Sequence, residues 1–253
     1  MTDKKQERNP ATKLLTILNA TRATNQTRTR LVWGEVFNID EPSSEEGLFK
    51  ILAHLVALRG VFNETVMSLR QIATVDEELF IKPVIRLMRI VDLNGLHNPW
   101  SQYSAFLSGG DLFSLKYCEN LISNHAEGQE NEVPDEELQD ILNDLNSLYE
   151  SVIASSLPQT LKQSILDLIQ EIRQAIHLYR VKGAEAFREA MTKSMGIIVA
   201  NKDAFEENKD SSDVKSIMNM LVRIDKWYTF AVKMKPMLEA AANIIPALAA
   251  HIK

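Results

Sequence analysis

The clearest regular pattern in the sequence is an apolar repeat at intervals of three and four residues between positions 161 and 179. Its members are Leu161, Ile165, Leu168, Ile169, Ile172, Ile176 and Tyr179. This spacing places them along one face of a 3.6-residue helix, while polar residues such as Lys162 and Asp167 fall on other faces. The repeat therefore predicts a long amphipathic helix that buries a single face.

Both ends of this helix carry recognisable signals. Ser156, with Gln159 three residues later, is typical of an N-cap. At the other end, Gly183 predicts a left-handed stop. A second apolar repeat begins directly after the glycine, with the members Ala184, Phe187, Ala190, Met191, Met195 and Ile198. Residues 156–200 thus predict a helical hairpin.

The same period recurs through most of the chain. The other segments are 48–69, 79–91, 112–122, 138–152 and 214–231. Ser43 and Glu46 form a capping box before the first of them, and Pro83 predicts a kink or a fresh helix start within the second. Residues 31–39 are assigned to a helix because no partner strand is predicted elsewhere. We predict an all-α fold of about eight to ten helices, packed as hairpins or as an irregular bundle.

A polar segment divides the chain into two regions. Residues 124–134 contain Gly128 and Pro134 and almost no apolar side chain, as is typical of a linker. We predict an N-terminal helical region, 1–126, and a C-terminal helical region, 127–253, which holds the central hairpin. One continuous domain is the alternative.

Charge is distributed unevenly along the chain. The whole sequence has 28 Lys and Arg against 34 Asp and Glu, a net charge of −6, which argues against a nucleic-acid clamp. Residues 1–30 nevertheless form a basic polar arm, whose stretch from Asn19 to Thr29 predicts a loop or a docked tail. The arm is either a solvated terminus or a nucleic-acid contact. Nine acidic residues and no Lys or Arg lie between Glu127 and Glu150; they form a solvated face or contact the arm or a basic partner.

The expected compartment is the cytoplasm. Cys118 is the single cysteine, so no disulfide can form within one chain, and the polar start of the sequence lacks the apolar core of a signal peptide. No apolar run approaches the roughly 18 residues that a membrane span needs. We therefore expect a soluble protein that does not bind membranes.

The common catalytic and metal-binding motifs are missing from the sequence. None of the five histidines belongs to an H-E-x-x-H pair, and a lone cysteine cannot build a cysteine-rich zinc site. The chain also lacks a Walker A loop, a G-x-G-x-x-G loop and a G-x-S-x-G elbow. We expect neither a cofactor nor a resident metal.

Two weaker patterns leave an enzymatic alternative open. Arg173 and His177 lie one helical turn apart; the HEPN ribonucleases use a similar pair, but with four to six intervening residues instead of three. Glu127 with Glu130, and Glu207 with Asp210, have spacings that resemble the magnesium-binding acids of all-helical nucleotide pyrophosphohydrolases. Both acid pairs lie in or beside polar breaks, where support for a metal site is poor.

The last long helix carries two neighbouring apolar stripes instead of one. The first contains Val214, Ile217, Leu221, Ile224, Tyr228 and Ala231, and the second Met220, Trp227, Phe230, Met234 and Met237. Trp, Phe and Met are enriched at protein interfaces. The two stripes indicate either a helix that its own chain buries on both sides or a partner-binding or self-association surface centred on Trp227, Phe230 and Met234.

These observations favour a non-enzymatic protein-interaction component, such as a regulatory or assembly subunit of a cytoplasmic complex. Its expected partner is another protein or a second copy of the chain. One alternative is a membrane-acting helical effector that uses the Met- and Ala-rich C-terminus. The other is a divergent all-helical nuclease or nucleotide hydrolase.

Overall fold

The computed structural model describes residues 9–107, 109–125 and 133–232, with the backbone alone for 230–232. Within these ranges the chain forms eleven α-helices, one π-helical segment, two 3₁₀ turns and no strand. Three of the α-helices have six residues or fewer. The predicted all-α fold is confirmed.

The chain divides into two compact units, Met1–Gln129 and Glu130–Lys253. The helices of unit 1 are α1 (Pro10–Ala23), α2 (Thr29–Val36), α3 (Glu45–Arg70), α4 (Lys82–Leu87), α5 (Ser101–Ser104) and α6 (Gly110–His125). Those of unit 2 are α7 (Asp135–Ala154), α8 (Gln159–Lys182), α9 (Ala184–Ala200), α10 (Lys202–Glu207) and α11 (Ser212–Val232). Whether the two regions predicted from the sequence fold as separate domains stays a prediction.

In unit 1, α1 packs between α3 and α6. Asn9 caps α1 by accepting a hydrogen bond from the Thr12 N–H at 3.0 Å, and its side-chain amide donates to the Glu119 carbonyl of α6 at 2.9 Å. The helix continues to Ala23, through part of the predicted loop. Its threonines permit this because the Thr21 hydroxyl donates to the Leu18 carbonyl within the helix, at 2.7 Å, instead of competing with it.

An aromatic cluster anchors α2 to the loop that precedes α5. The buried Trp33 ring stacks on Phe37, with centroids 5.4 Å apart, and meets Trp100 edge-on at 5.8 Å. The Thr29 N–H donates to the Asn98 carbonyl at 3.2 Å, so the start of α2 is fixed to the same loop. Residues 31–39 are helical up to Val36, as predicted.

Pro83 lies where a π-helical segment passes into α4. Residues Glu77–Ile81 form a single π-helical segment, and α4 then begins at Lys82 with Pro83 in its first turn. Ile81 and Lys82 both have right-handed helical dihedrals, and the Lys82 N–H donates to the Glu77 carbonyl, so α4 continues the π-helical segment without a break. Pro83 therefore lies in the first turn of α4, at a change of helix type within one continuous helical segment.

In unit 2 the predicted hairpin is present as α8 and α9, and all seven members of the α8 repeat are buried. Gly183 joins the helices at φ 64°, ψ −145°, and its N–H donates to the Tyr179 carbonyl at 2.7 Å. The positive φ was expected, but the ψ value differs from the left-handed helical conformation that was predicted. This backbone region is essentially restricted to glycine.

The predicted N-caps of two helices are wrong. Pro158, not Ser156, precedes α8, because α7 runs to Ala154 and the Ser155 hydroxyl then donates to the Val152 carbonyl at 2.8 Å. Only a short link is therefore left before Pro158. Ser44, not Ser43, caps α3 and accepts from the Gly47 N–H at 2.9 Å.

Part of the acidic helix α7 pairs with cations of unit 2 itself. Asp135 lies 3.1 Å from the Arg180 guanidinium of α8, and Asp144 lies 2.7 Å from that of Arg223 on α11. Both pairs are solvent-exposed, where ion pairs contribute about 0–1 kcal/mol. The acidic stretch thus has neighbours in its own unit; a contact with the basic arm stays a prediction, since Lys4, Lys5 and Arg8 lie outside the described residues.

Two further expectations concern the membrane and the cysteine. In the described part of the chain, no helix combines the length and apolar character that crossing a bilayer requires. Cys118, the single cysteine of the sequence, is buried with a free thiol. Burial raises the pKa of this thiol to about 12, so it is protonated and unreactive at neutral pH.

Candidate interaction surface

Helix α3 has a largely apolar line, with Asn63 as its one polar member, on the face that does not pack against its own unit. We name this line the α3 stripe; its residues are Phe49, Ala53, Val56, Gly60, Asn63 and Met67. All six are exposed, and the three large side chains, Phe49, Val56 and Met67, are 62%, 57% and 63% exposed. At about 100° per residue the six positions lie within about 40° of a single line along the helix.

The opposite face of α3 forms part of the core of unit 1. Its buried residues are Ile51, His54, Leu55, Leu58, Phe62, Thr65, Val66 and Leu69. The helix packs there against α1, α2, α4 and α6. Because the α3 stripe runs along the middle of the remaining face, α3 is apolar on both sides. A helix with this pattern is normally covered on both sides, whereas a surface helix needs only one apolar stripe.

The α3 stripe has a defined shape. Phe49 and Met67 are 18 positions apart, which corresponds to roughly 27 Å along a helix. Between these large ends lie smaller residues, including Ala53 and Gly60. A Cβ atom placed on Gly60 would meet no atom within 4 Å, so no contact in its own chain requires glycine there. A glycine in a helix interior costs about 0.5–1 kcal/mol relative to alanine.

The charged residues at the two ends of the α3 stripe have opposite signs. Glu45 and Glu46 occupy the first turn of α3, and Arg70 occupies its last turn, which is the favourable arrangement for the helix dipole. Lys50 forms an ion pair with Glu46 at 2.6 Å, one turn earlier. One end of the α3 stripe is therefore acidic and the other basic.

Covering the α3 stripe has an appreciable energy. Fully burying a side chain of the Val, Phe or Met class contributes about 1.5–3 kcal/mol relative to leaving it exposed. More than half of each of the three large side chains remains accessible to water. A surface that covered Phe49, Val56 and Met67 together would therefore gain several kcal/mol before the cost of association.

The structure places Trp227 inside unit 2. It is 9% exposed, its indole N–H donates to a Glu137 carboxylate oxygen at 2.7 Å, and its ring lies 5.7 Å from Phe187. As far as the two stripes of α11 are described, their residues are buried, and α11 packs against α7, α8 and α9. The Phe230 side chain and Met234 lie outside the described residues, so the predicted protein-binding role of this trio stays a prediction.

Arg173 and His177 remain one turn apart on α8, and Arg173 is engaged by α7. Its guanidinium donates to the Asn146 side-chain oxygen at 2.7 Å and lies over the Tyr149 ring, 5.1 Å from the centroid. These contacts hold the cation against a neighbouring helix. His177 is exposed. Arg173 thus has a packing role in unit 2, and a catalytic role for the pair is a separate hypothesis.

The structure describes only one of the two acidic pairs that resemble a magnesium site. Glu127 and Glu130 lie outside the described residues, and Asp210 lies 3.5 Å from the Lys215 ammonium. In the ranges that the structure describes, no group of three or more His, Cys, Asp or Glu side chains is placed to hold a metal ion. The expectation that the protein needs no cofactor stays a prediction.

The sequence contained a signal for the α3 stripe that a one-face analysis overlooks. The apolar repeat in residues 48–69 was assigned to the buried face. Three further large apolar residues of the segment, Phe49, Val56 and Met67, are spaced by seven and eleven positions, which again returns to one helical face. Counting the apolar residues on every face would therefore have predicted a second apolar surface on α3.

The chain matches no family model, no curated protein and no solved structure. Its own residues therefore carry the inference about function.

Proposed function

We propose that this chain is a non-enzymatic protein-interaction component, a regulatory or assembly subunit of a cytoplasmic complex, and that the α3 stripe is its docking surface. The observation that carries the proposal is the apolar line at the centre of the outward face of a 26-residue helix. Contiguous apolar surface with a charged rim is typical of protein-interaction sites.

The charges around the α3 stripe favour a protein partner over a bilayer. An interfacial membrane helix gathers Lys and Arg on its polar face to meet anionic lipid. On α3 the exposed cations Lys50, Arg59 and Arg70 are balanced by three exposed acids, Glu45, Glu46 and Glu64. This balance provides no net attraction to an anionic surface, whereas a protein surface can match both signs.

The test is the size of the purified full chain on a sizing column with light scattering, alone and after incubation with lysate of its source cells. We expect a species larger than one chain in at least one condition. Val56→Lys, in the middle of the α3 stripe, should remove that species. A chain that elutes as a monomer in both conditions, or a Val56→Lys variant that assembles normally, would overturn the proposal.

The control is the same substitution at a matched position. Val199 on α9 is 51% exposed, close to the 57% of Val56, and lies in unit 2. Lysine has a higher helix propensity than valine, so neither substitution should harm the helix that carries it. Val199→Lys should therefore assemble like the wild type, and circular dichroism should show both variants folded.

A further inference from the structure

We propose that the partner of the α3 stripe is the α3 stripe of a second copy of this chain, antiparallel and related by a twofold axis near position 58. This inference rests on the proposed function, because it assigns an occupant to the same surface. A twofold interface must be self-complementary. If a residue of the first copy contacts a different residue of the second copy, the same contact occurs again with the two copies exchanged. The α3 stripe meets this condition in its large and small apolar side chains and in its end charges, and the same register places Ala53 opposite Asn63, the one polar member of the stripe.

The sizes match when the α3 stripe is reversed on itself. With the axis near position 58, Phe49 of one copy faces Met67 of the other. By symmetry this contact occurs twice, once at each end of the helix pair. Thioether sulfur packs favourably on aromatic rings. At the centre, Val56 faces Gly60 of the second copy, so a branched side chain meets a residue without one. This accounts for a glycine at an open helical position where alanine would be more stable for the isolated helix.

The charges select the antiparallel direction. In this arrangement the Glu45 end of one helix lies beside the Arg70 end of the other, and the contact occurs twice. In a parallel pair, Glu45 would meet Glu45 and Arg70 would meet Arg70. At 100° per residue Glu45 and Arg70 also lie on the same flank of the α3 stripe, about 20° apart. Opposite charges thus coincide only when the second helix is reversed.

The remaining flank charges are compatible with the same register. Lys50 of one copy comes level with the Glu64 region of the other, which gives a second pair of opposite charges on the other flank. Arg59 lies near the axis but about 80° away from the line of the α3 stripe, so its long side chain can extend into solvent. The two helix dipoles are also antiparallel in this arrangement.

The first experiment measures the mass of the full-length chain by sedimentation equilibrium over a concentration series. We expect the wild type and Val199→Lys to form a monomer–dimer equilibrium. Val56→Lys should weaken the dimer by at least about tenfold, because it brings a lysine from each copy into an apolar contact. A wild-type chain that is monomeric throughout the series would overturn the inference.

The second experiment tests direction and symmetry together by charge reversal. Arg70→Glu alone and Glu45→Arg alone each place like charges at both ends of an antiparallel homodimer, so each should weaken self-association. An equimolar mixture restores opposite charges at both ends, and we expect it to form a heterodimer with close to the wild-type affinity. Circular dichroism of each variant alone controls for loss of the helix.

The outcomes separate this inference from the proposed function. Dimer formation by the chain alone, lost in Val56→Lys and restored in the charge-reversal mixture, supports both. A monomeric chain that enters a larger complex only with lysate, and does so through Val56, supports the docking surface and overturns the second copy as its occupant. Dimer formation that Val56→Lys and the charge reversals leave unchanged overturns the α3 stripe as the interface.

Discussion

The two longest helices in the described part of the chain, α3 and α8, differ in the side chains that they expose to water. Helix α8 buries its apolar repeat completely, and its outward positions carry polar groups that contact one another or neighbouring helices: Gln163 donates to Asp167 at 2.8 Å, and Glu171 pairs with Lys193 at 2.9 Å. Helix α3 also buries one full face, but the middle of its other face is apolar. The apolar repeat of α8 is thus covered within its own unit, whereas α3 leaves large apolar side chains exposed to water.

This difference separates folding from assembly. A residue on the buried face of either helix is required by its own unit, so its replacement should be measured as lost stability. A residue of the α3 stripe has few contacts in its own chain, and its replacement should be measured as lost association.

The largest effect is expected at the centre of the α8 repeat. Ile169 is 1% exposed, and Ile169→Asp would place a carboxylate without a partner in the core of unit 2. Buried unpaired charge is among the most destabilising changes known, so unit 2 should not fold. The matched change Asp167→Ala, two residues away on the exposed face, should alter the free energy of unfolding by only about 0.5 kcal/mol. Comparable losses from both variants, measured by denaturant titration, would show that the buried face of α8 is misassigned.

The same variant can report on unit 1 through Cys118. The thiol is buried in unit 1, and its raised pKa, about 12, keeps it protonated at neutral pH. If the two regions fold independently, as the polar segment at 124–134 predicts, Cys118 should stay unreactive toward a thiol reagent in Ile169→Asp. Rapid modification of Cys118 in this variant, at the rate seen in denaturant, would show one cooperative domain instead.

Trp227 provides the next largest effect and a direct contrast with Val56. Its ring is largely buried against Phe187, and its N–H is bonded to Glu137, so Trp227→Ala should lower the free energy of unfolding by about 3–5 kcal/mol. Thermal or denaturant unfolding measures this loss. If the variant instead kept its stability and lost a partner, Trp227 would belong to an interface, as the sequence pattern suggested.

The sequence predicted the elements that local pattern determines more completely than the features that tertiary packing decides. The α8 repeat, the hairpin and the positive φ of Gly183 follow from period and glycine chemistry, because local pattern and final packing agree there. The cap of α3 was predicted one residue too early, because Ser43 and Ser44 are adjacent and equally suitable. The cap at Ser156 was wrong because Ser155 ends α7 and Pro158 directly precedes α8. Trp227 shows the same limit, because two apolar stripes on one helix indicate cover on both sides without identifying what provides the cover.

Gly183 is expected to have a smaller effect than the core residues. Its backbone, at φ 64° and ψ −145°, costs a side-chain-bearing residue of order 1–3 kcal/mol. Gly183→Val should therefore lower the melting temperature by several degrees, at about 2–4 °C per kcal/mol for a domain of this size range. Gly196→Val is a suitable comparison, because a Cβ atom at this α9 glycine meets nothing within 4 Å. Equal melting temperatures for the two variants would show that the backbone conformation at position 183 does not require glycine.

The smallest effect is expected at Gly60, where replacement by alanine should strengthen folding of the monomer and weaken self-association. Within its own unit Gly60 is an exposed residue in a helix interior with open space around it, so Gly60→Ala should raise the free energy of unfolding of the monomer by about 0.5–1 kcal/mol. In the proposed dimer the new methyl group would meet Val56 of the second copy at the closest approach of the helices, and self-association should weaken.

Unfolding followed at concentrations below the dissociation constant measures the effect of Gly60→Ala on stability, and sedimentation equilibrium measures its effect on self-association. A gain in stability without loss of association would mean that Gly60 does not lie at a helix contact, and the register centred near position 58 would be wrong. Opposite signs would show that the glycine is retained for assembly at a cost to folding.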